Sequence, residues 1–152
     1  KDGHGGITVG SECSGGFRNL FAENNKLDSP DLWTALRIKN NASRGGKIEN
    51  LYFRNITVGK VSRSAIEMDF NYEEGAKGEY TPIVRNFVVE NLVAQDCNKA
   101  VDLQGLDKAP LFDIVFKNCD FGRVTNANIV KNVKNLKLEN VKMNGKVVDK
   151  LI

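Results

Sequence analysis

The side chains best suited to chemistry lie in the first quarter of the chain. The sequence holds one histidine, His4, inside Gly3-His4-Gly5-Gly6. Flanking glycines let the backbone bend and leave the imidazole accessible. Without context, however, a lone histidine more often serves the surface or the framework. The second candidate is Arg37-Ile38-Lys39. In a strand, alternate residues share a face, so the two cations stand about 7 Å apart on one side. That pair fits a carboxylate-bearing sugar, because arginine can clamp a carboxylate through two parallel bonds and lysine supplies a point charge. Taken alone, it reads more readily as a solvated strand face.

The elements that must position these groups are visible as a repeat. Asn24, Asn55, Asn91, Asn118 and Asn140 each close a short apolar-polar alternation. Five residues before each stands Asn19, Asn50, Asn86, Asp113 or Asn135. The repeat length of roughly 20–40 residues with strand character predicts stacked coils rather than a closed domain. Within each coil the asparagine-bounded run is one strand: Leu20–Ala22, Leu51–Phe53, Phe87–Val89, Ile114–Phe116 and Leu136–Leu138. A second run follows a turn: Ala35–Lys39, Ala65–Asp69 and Ala100–Gln104, with Ile7–Val9 as its counterpart in the preceding coil. In these runs Leu36, Ile38, Ile66, Met68, Val101 and Leu103 should point inward. Arg37, Lys39, Glu67, Asp69, Asp102 and Gln104 should point outward from one sheet. Asn128–Val130 and Val147–Ile152 are weaker later examples. Asparagine suits the corners because it tolerates left-handed backbone, and stacked amides can bond from coil to coil as in cross-β ladders. The stretches 26–33, 40–47 and 71–82 read as irregular, the last as a surface loop rimming a groove.

Composition narrows the function classes. Apolar content of 41% and charged content of 27% fit an ordinary globular chain. The length allows one domain, residues 1–152. A net charge of +3 permits an acidic polymer as partner without requiring one. There is no run of five like charges and no interleaving of aromatic with basic residues, so a nucleic-acid partner is not expected. No run of about 18 apolar residues exists, so no helical membrane span is expected. Cys13, Cys97 and Cys119 form no C-x-x-C pair and their odd number leaves a free thiol, which argues against zinc. They read as small buried thiols. Sequons occur at Asn41 and Asn55, the latter expected to face inward as part of the repeat.

The two basic motifs become specific in combination. Gly3-His4-Gly5, then Gly10-Ser11-Glu12-Cys13-Ser14-Gly15-Gly16, then Arg37-Ile38-Lys39, resembles the polygalacturonase family, glycoside hydrolase family 28. The resemblance runs over essentially the whole chain, and the Gly-Ser-Glu-x-Ser-Gly-Gly form is similar to bacterial exo-acting members. It implies a right-handed parallel β-helix, here of about five coils, and inverting hydrolysis of galacturonan without cofactor or metal. It implies that His4 supports the catalytic carboxylates. It implies that Arg37 and Lys39 hold the substrate carboxylate, and that Tyr72 lines the same subsite. It also implies secretion or periplasmic location, from the substrate class alone.

The departure from the family pattern is large. The family's Asn-x-Asp motif and Asp-Asp pair fall before Gly-His-Gly, and neither precedes Gly3 in this sequence. Asp2, a single carboxylate, does not replace them. Inversion needs an acid and a base about 6.5–9.5 Å apart. The expectation is therefore the C-terminal part of one β-helix, truncated at its N-terminus, inactive alone and completed by N-terminal coils of the same protein. Glu67 and Asp69 have a suitable spacing, but one coil beyond the basic pair a groove-edge role or a salt bridge to Arg37 or Lys39 is the favoured reading. Two other readings compete. A lyase on a similar helix would need a calcium cage of clustered carboxylates, and no such cluster is evident. A non-catalytic β-helical module would bind acidic glycan without cleaving it.

Overall fold

The computed structural model describes residues 2–152. Alternating apolar and polar residues make strands along nearly its whole length, and the described residues contain no helix. The chain winds as a parallel β-helix. The strands, in order, are β1 (Ile7–Val9), β2 (Phe17–Leu27), β3 (Thr34–Lys39), β4 (Lys47–Lys60), β5 (Ser64–Asp69), β6 (Ile83–Cys97) and β7 (Lys99–Gln104). They continue as β8 (Leu111–Lys117), β9 (Asp120–Val124), β10 (Ile129–Lys131), β11 (Val133–Glu139), β12 (Val141–Met143) and β13 (Lys146–Val148). One sheet stacks β1, β3, β5, β7 and β10 in parallel, one strand from each of five coils. The other stacks β2, β4 and β6, then divides: β8 and β11 continue its first half, β9 and β12 its second.

The division occurs at the asparagines. Asn19, Asn24, Asn50, Asn55, Asn86, Asn91, Asp113, Asn118, Asn135 and Asn140 all have φ between 51° and 62°. In that region an ordinary side chain is strained and asparagine is tolerated. Each such residue turns the strand through a corner, and the inter-coil pairing skips it. The side chains form the expected ladders. Asn86 donates to Asn50 at 2.8 Å and Asn50 to Asn19 at 3.0 Å. Asn91 donates to Asn55 and Asn55 to Asn24, at 3.0 and 2.9 Å. Asp113 accepts from Asn135, but a carboxylate has no proton to pass to Asn86.

Two expectations need correction here. Asn55 does not face inward: the ladder places it at an exposed corner, because its left-handed backbone turns the amide along the helix axis toward its neighbours. The segment 147–152 is not a further coil strand. Asn144 and Gly145, with φ of 52° and 77°, form an Asn-Gly turn that folds β13 back antiparallel onto β12.

The core fills the space between the faces. Leu36, Ile38, Ile66, Met68, Val101 and Leu103 point inward from the first sheet and are at most 1% exposed. They meet Leu51, Phe53, Phe87, Val89, Ile114 and Phe116 from the asparagine-bounded runs. A third run, which the sequence reading did not separate from the corner, supplies Ile56, Val58, Leu92, Ala94 and Phe121. Phe53 and Phe87 pack with tilted rings one coil apart, with centroids 5.0 Å apart. Each such side chain contributes on the order of 1.5–3 kcal/mol of burial. The rigid stack holds the outer face of the first sheet, which carries the candidate site.

Candidate functional site

Parallel pairing in the first sheet converts sequence spacing into columns along the helix axis. Thr8, Arg37, Glu67 and Asp102 are consecutive partners, as are Lys39, Asp69 and Gln104. Neighbouring strands stand about 4.8 Å apart, so each column presents one side chain per coil to the groove.

Arg37 is nearly buried although it lies on the outer face. Its Nε donates to Glu67 Oε1 at 2.6 Å, and Glu67 Oε2 accepts from the Thr34 hydroxyl at 3.2 Å. The Nε bond fixes the guanidinium through its inner nitrogen and does not involve the terminal nitrogens. Lys39 Nζ lies 4.5 Å from the centre of the Tyr72 ring, and the Arg37 guanidinium carbon lies 5.8 Å from it. Attraction of a cation to an aromatic face orders both groups. Arg37, Lys39 and Tyr72 therefore converge. Tyr72 begins the loop 71–82 and is held there through its carbonyl, which accepts from Asn41 Nδ2. Ala42 N–H donates to Gly75 and Tyr80 N–H to Ala42, so loops 40–46 and 71–82 brace one another.

His4 stands one coil earlier, four residues before Thr8 of the first column. Gly5 packs against Arg37: a Cβ on it would lie 3.3 Å from Arg37 Cβ and 2.1 Å from Thr8 Oγ1. Only glycine passes this closely, which explains one glycine of the motif. The exposed imidazole stacks on Trp33, with centroids 3.9 Å apart and planes inclined by 21°. The Arg63 guanidinium lies 3.7 Å from the Trp33 ring centre. Two groups so close to one ring must occupy opposite faces, so Trp33 is sandwiched between His4 and Arg63. Sequence reasoning missed both partners. The signal existed: His4, Trp33 and Arg63 each stand four residues before a member of the Thr8–Arg37–Glu67 column.

Glu67 and Asp69 behave as framework and groove edge. Asp69 accepts from the Asn71 backbone N–H at 2.8 Å. Burial raises its carboxyl above the usual carboxylate range, helped by facing Glu67 and Asp102, with the Asn71 bond and Arg37 opposing. Asp2 is tied to the chain, its carboxylate accepting from the Ser29 hydroxyl. All three cysteines are free, Cys97 and Cys119 buried and Cys13 half-buried.

The first sheet of a parallel β-helix thus sets Arg37 and Lys39 on its outer face, beside Tyr72 of the following loop. Comparison with known proteins gives the chain's family. The family of glycosyl hydrolases family 28 matches residues 1–142, and the chain belongs to it. A probable polygalacturonase of Vitis vinifera is 29% identical over 116 residues, 74% of this chain and 23% of that protein. An exo-poly-alpha-D-galacturonosidase of Dickeya chrysanthemi is 26% identical over 140 residues, 85% of this chain and 23% of that protein. The crystal structure of a hyperthermoactive exopolygalacturonase from Thermotoga maritima superposes with a TM-score of 0.89 at 36% identity. That match covers 97% of this chain and 32% of the other. The chain thus spans about a quarter of the length of these curated relatives.

Proposed function

We propose that these residues form the substrate-carboxylate-binding part of a polygalacturonase-like active site that hydrolyses α-1,4-galacturonan with inversion and acts from a chain end. The observation that carries this reading is the convergence of Arg37, Lys39 and Tyr72, with Glu67 holding Arg37 through its Nε so that two terminal nitrogens stay available. A uronate carboxylate accepts both of these bonds in one plane, and Lys39 adds charge beside it. His4, one coil earlier, supports the reacting carboxylates. No pair of carboxylates among these residues is assigned the acid and base roles. The chain alone binds and does not cleave. Exo action is supported by the relatives whose names carry it, and an exported location by the nature of the substrate.

Titration calorimetry of the chain with oligogalacturonates tests the reading. Binding should fall at least tenfold in Arg37→Ala and in Lys39→Ala, and the chain alone should release no reducing sugar. Equal binding by both variants would remove the carboxylate-clamp role. Release of galacturonate by the chain alone would place the catalytic groups within it.

A further inference from the structure

Arg37 of the clamp also borders, on the side of the later coils, an open cavity of about 350 Å³. Its size lies within the range of small-molecule sites. Three cations line it, Arg37, Arg63 and Lys99, and three carboxylates, Glu67, Asp69 and Asp102. Arg37 is committed to Glu67 at 2.6 Å, and Lys99 to Asp102 at 2.6 Å. Asp102 also accepts from Gln104 at 2.8 Å. Arg63 lies against Trp33, on the far side of that ring from His4.

The contrast with the clamp is one of charge. Lys39 faces an aromatic ring and no carboxylate lies within 4 Å of it among the described residues, so the clamp has positive charge to offer an incoming anion. The cavity is balanced three against three. A second carboxylate placed there would meet Asp69, already flanked by Glu67 and Asp102. Asn98 is spoken for, its amide bonded to the Ser62 carbonyl and the Thr125 hydroxyl; the polar atoms that remain, on Asp69, Gln104 and Asn126, are of the kind that bond sugar hydroxyls.

We infer that this cavity is a sugar subsite for an uncharged pyranose, either an esterified galacturonate or a neutral sugar, adjoining the free uronate held by Arg37 and Lys39. The inference rests on the galacturonan reading above and specifies which form of the polymer the groove selects. A polymer in which free and uncharged units alternate fits both neighbours, whereas a run of free acid fits the clamp and is opposed by the cavity.

The experiment is calorimetric titration of the chain with digalacturonic acid, its two mono-methyl esters and galacturonosyl-rhamnose. One monoester, the rhamnose disaccharide or both should bind on the order of five- to tenfold tighter than the diacid, the scale of one like-charge contact at a protein surface. A gain confined to the ester assigns esterified pectin, and a gain confined to the disaccharide assigns a neutral sugar. Asp69→Asn, which keeps the acceptor for Asn71, should shrink the difference by relieving the diacid. If the diacid binds tightest and Arg63→Ala cancels its advantage, the cavity takes a second carboxylate and the inference is overturned. Equal binding of all probes, lost in Arg37→Ala, also overturns it while leaving the clamp reading intact. If no probe binds, both readings fall.

Discussion

Arg37 and Glu67 are register partners on adjacent coils, and their side chains meet at 2.6 Å with 8% and 11% of their surface exposed. A charge pair this deep is held by geometry: either member alone would be left charged in a poorly solvated place. Glu67→Ala should therefore cost about 3 kcal/mol of stability, the low end for breaking a buried pair, read from urea midpoints. Glu67→Gln keeps an oxygen for Thr34 or Arg37 and should cost less. Both should weaken oligogalacturonate binding, because the guanidinium loses the bond that aims it. A Glu67→Ala protein with unchanged stability and affinity would show that Arg37 is fixed by something else.

The corner asparagines carry two separable contributions. Asn55 sits at φ 56° and bonds to both Asn24 and Asn91. Asn55→Gly removes the bonds and keeps an unstrained corner, while Asn55→Ala loses both. The two bonds are worth about 0.5–1.5 kcal/mol each at most, since the site is exposed, and the backbone strain about 1–2 kcal/mol. The alanine variant should melt below the glycine variant, and the glycine variant below the parent. An alanine variant as stable as the glycine one would mean that the corner relaxes out of the left-handed region.

How much of this was legible in the sequence varies with the kind of interaction. The coil repeat was readable because a left-handed corner restricts residue type, so asparagine recurs at Asn50, Asn86 and Asn135 whatever surrounds it. The inward and outward sides of Leu36–Lys39 were readable because strand period alone determines them. The Trp33 sandwich was not read, since nothing in the residue types of His4, Trp33 and Arg63 marks them as partners until each is counted back four places from the Thr8–Arg37–Glu67 column. The hairpin after Val141 carries its signature in Asn144-Gly145, but an asparagine at that point suits a further coil corner equally well. Asn55 was placed inward by treating a corner residue as part of the strand it ends.

The thiols should separate by reactivity. Burial pushes the Cys97 and Cys119 thiols up to about 11, so at pH 8 almost none of either is thiolate. Cys13 is half-buried near the start of the chain. In the folded protein a thiol-specific reagent at pH 8 should modify Cys13 first, with Cys97 and Cys119 reacting only after unfolding. Rapid modification of all three in native conditions would contradict the closed core around Phe116 and Phe121.

Asp69 gives the fold a pH dependence of definite sign. Its carboxyl is raised above the usual range in the folded state, so the fold binds that proton more tightly than the unfolded chain does. The favourable contribution of the protonated group is complete below the ordinary carboxylate pKa near 3.8. It is lost as pH rises through the raised value, because ionised Asp69 is then poorly solvated and also shares the groove with Glu67 and Asp102. Asp69→Asn removes this titration and retains the acceptor for Asn71. The variant should gain stability relative to the parent as pH rises from about 3 to 7, with the difference levelling off once Asp69 is fully ionised. Urea midpoints of both proteins across that range give the comparison. A difference that grows instead as pH falls would mean that Asp69 is stabilised as a carboxylate, and the electrostatics assigned to the cavity beside Arg37 would have to be reversed.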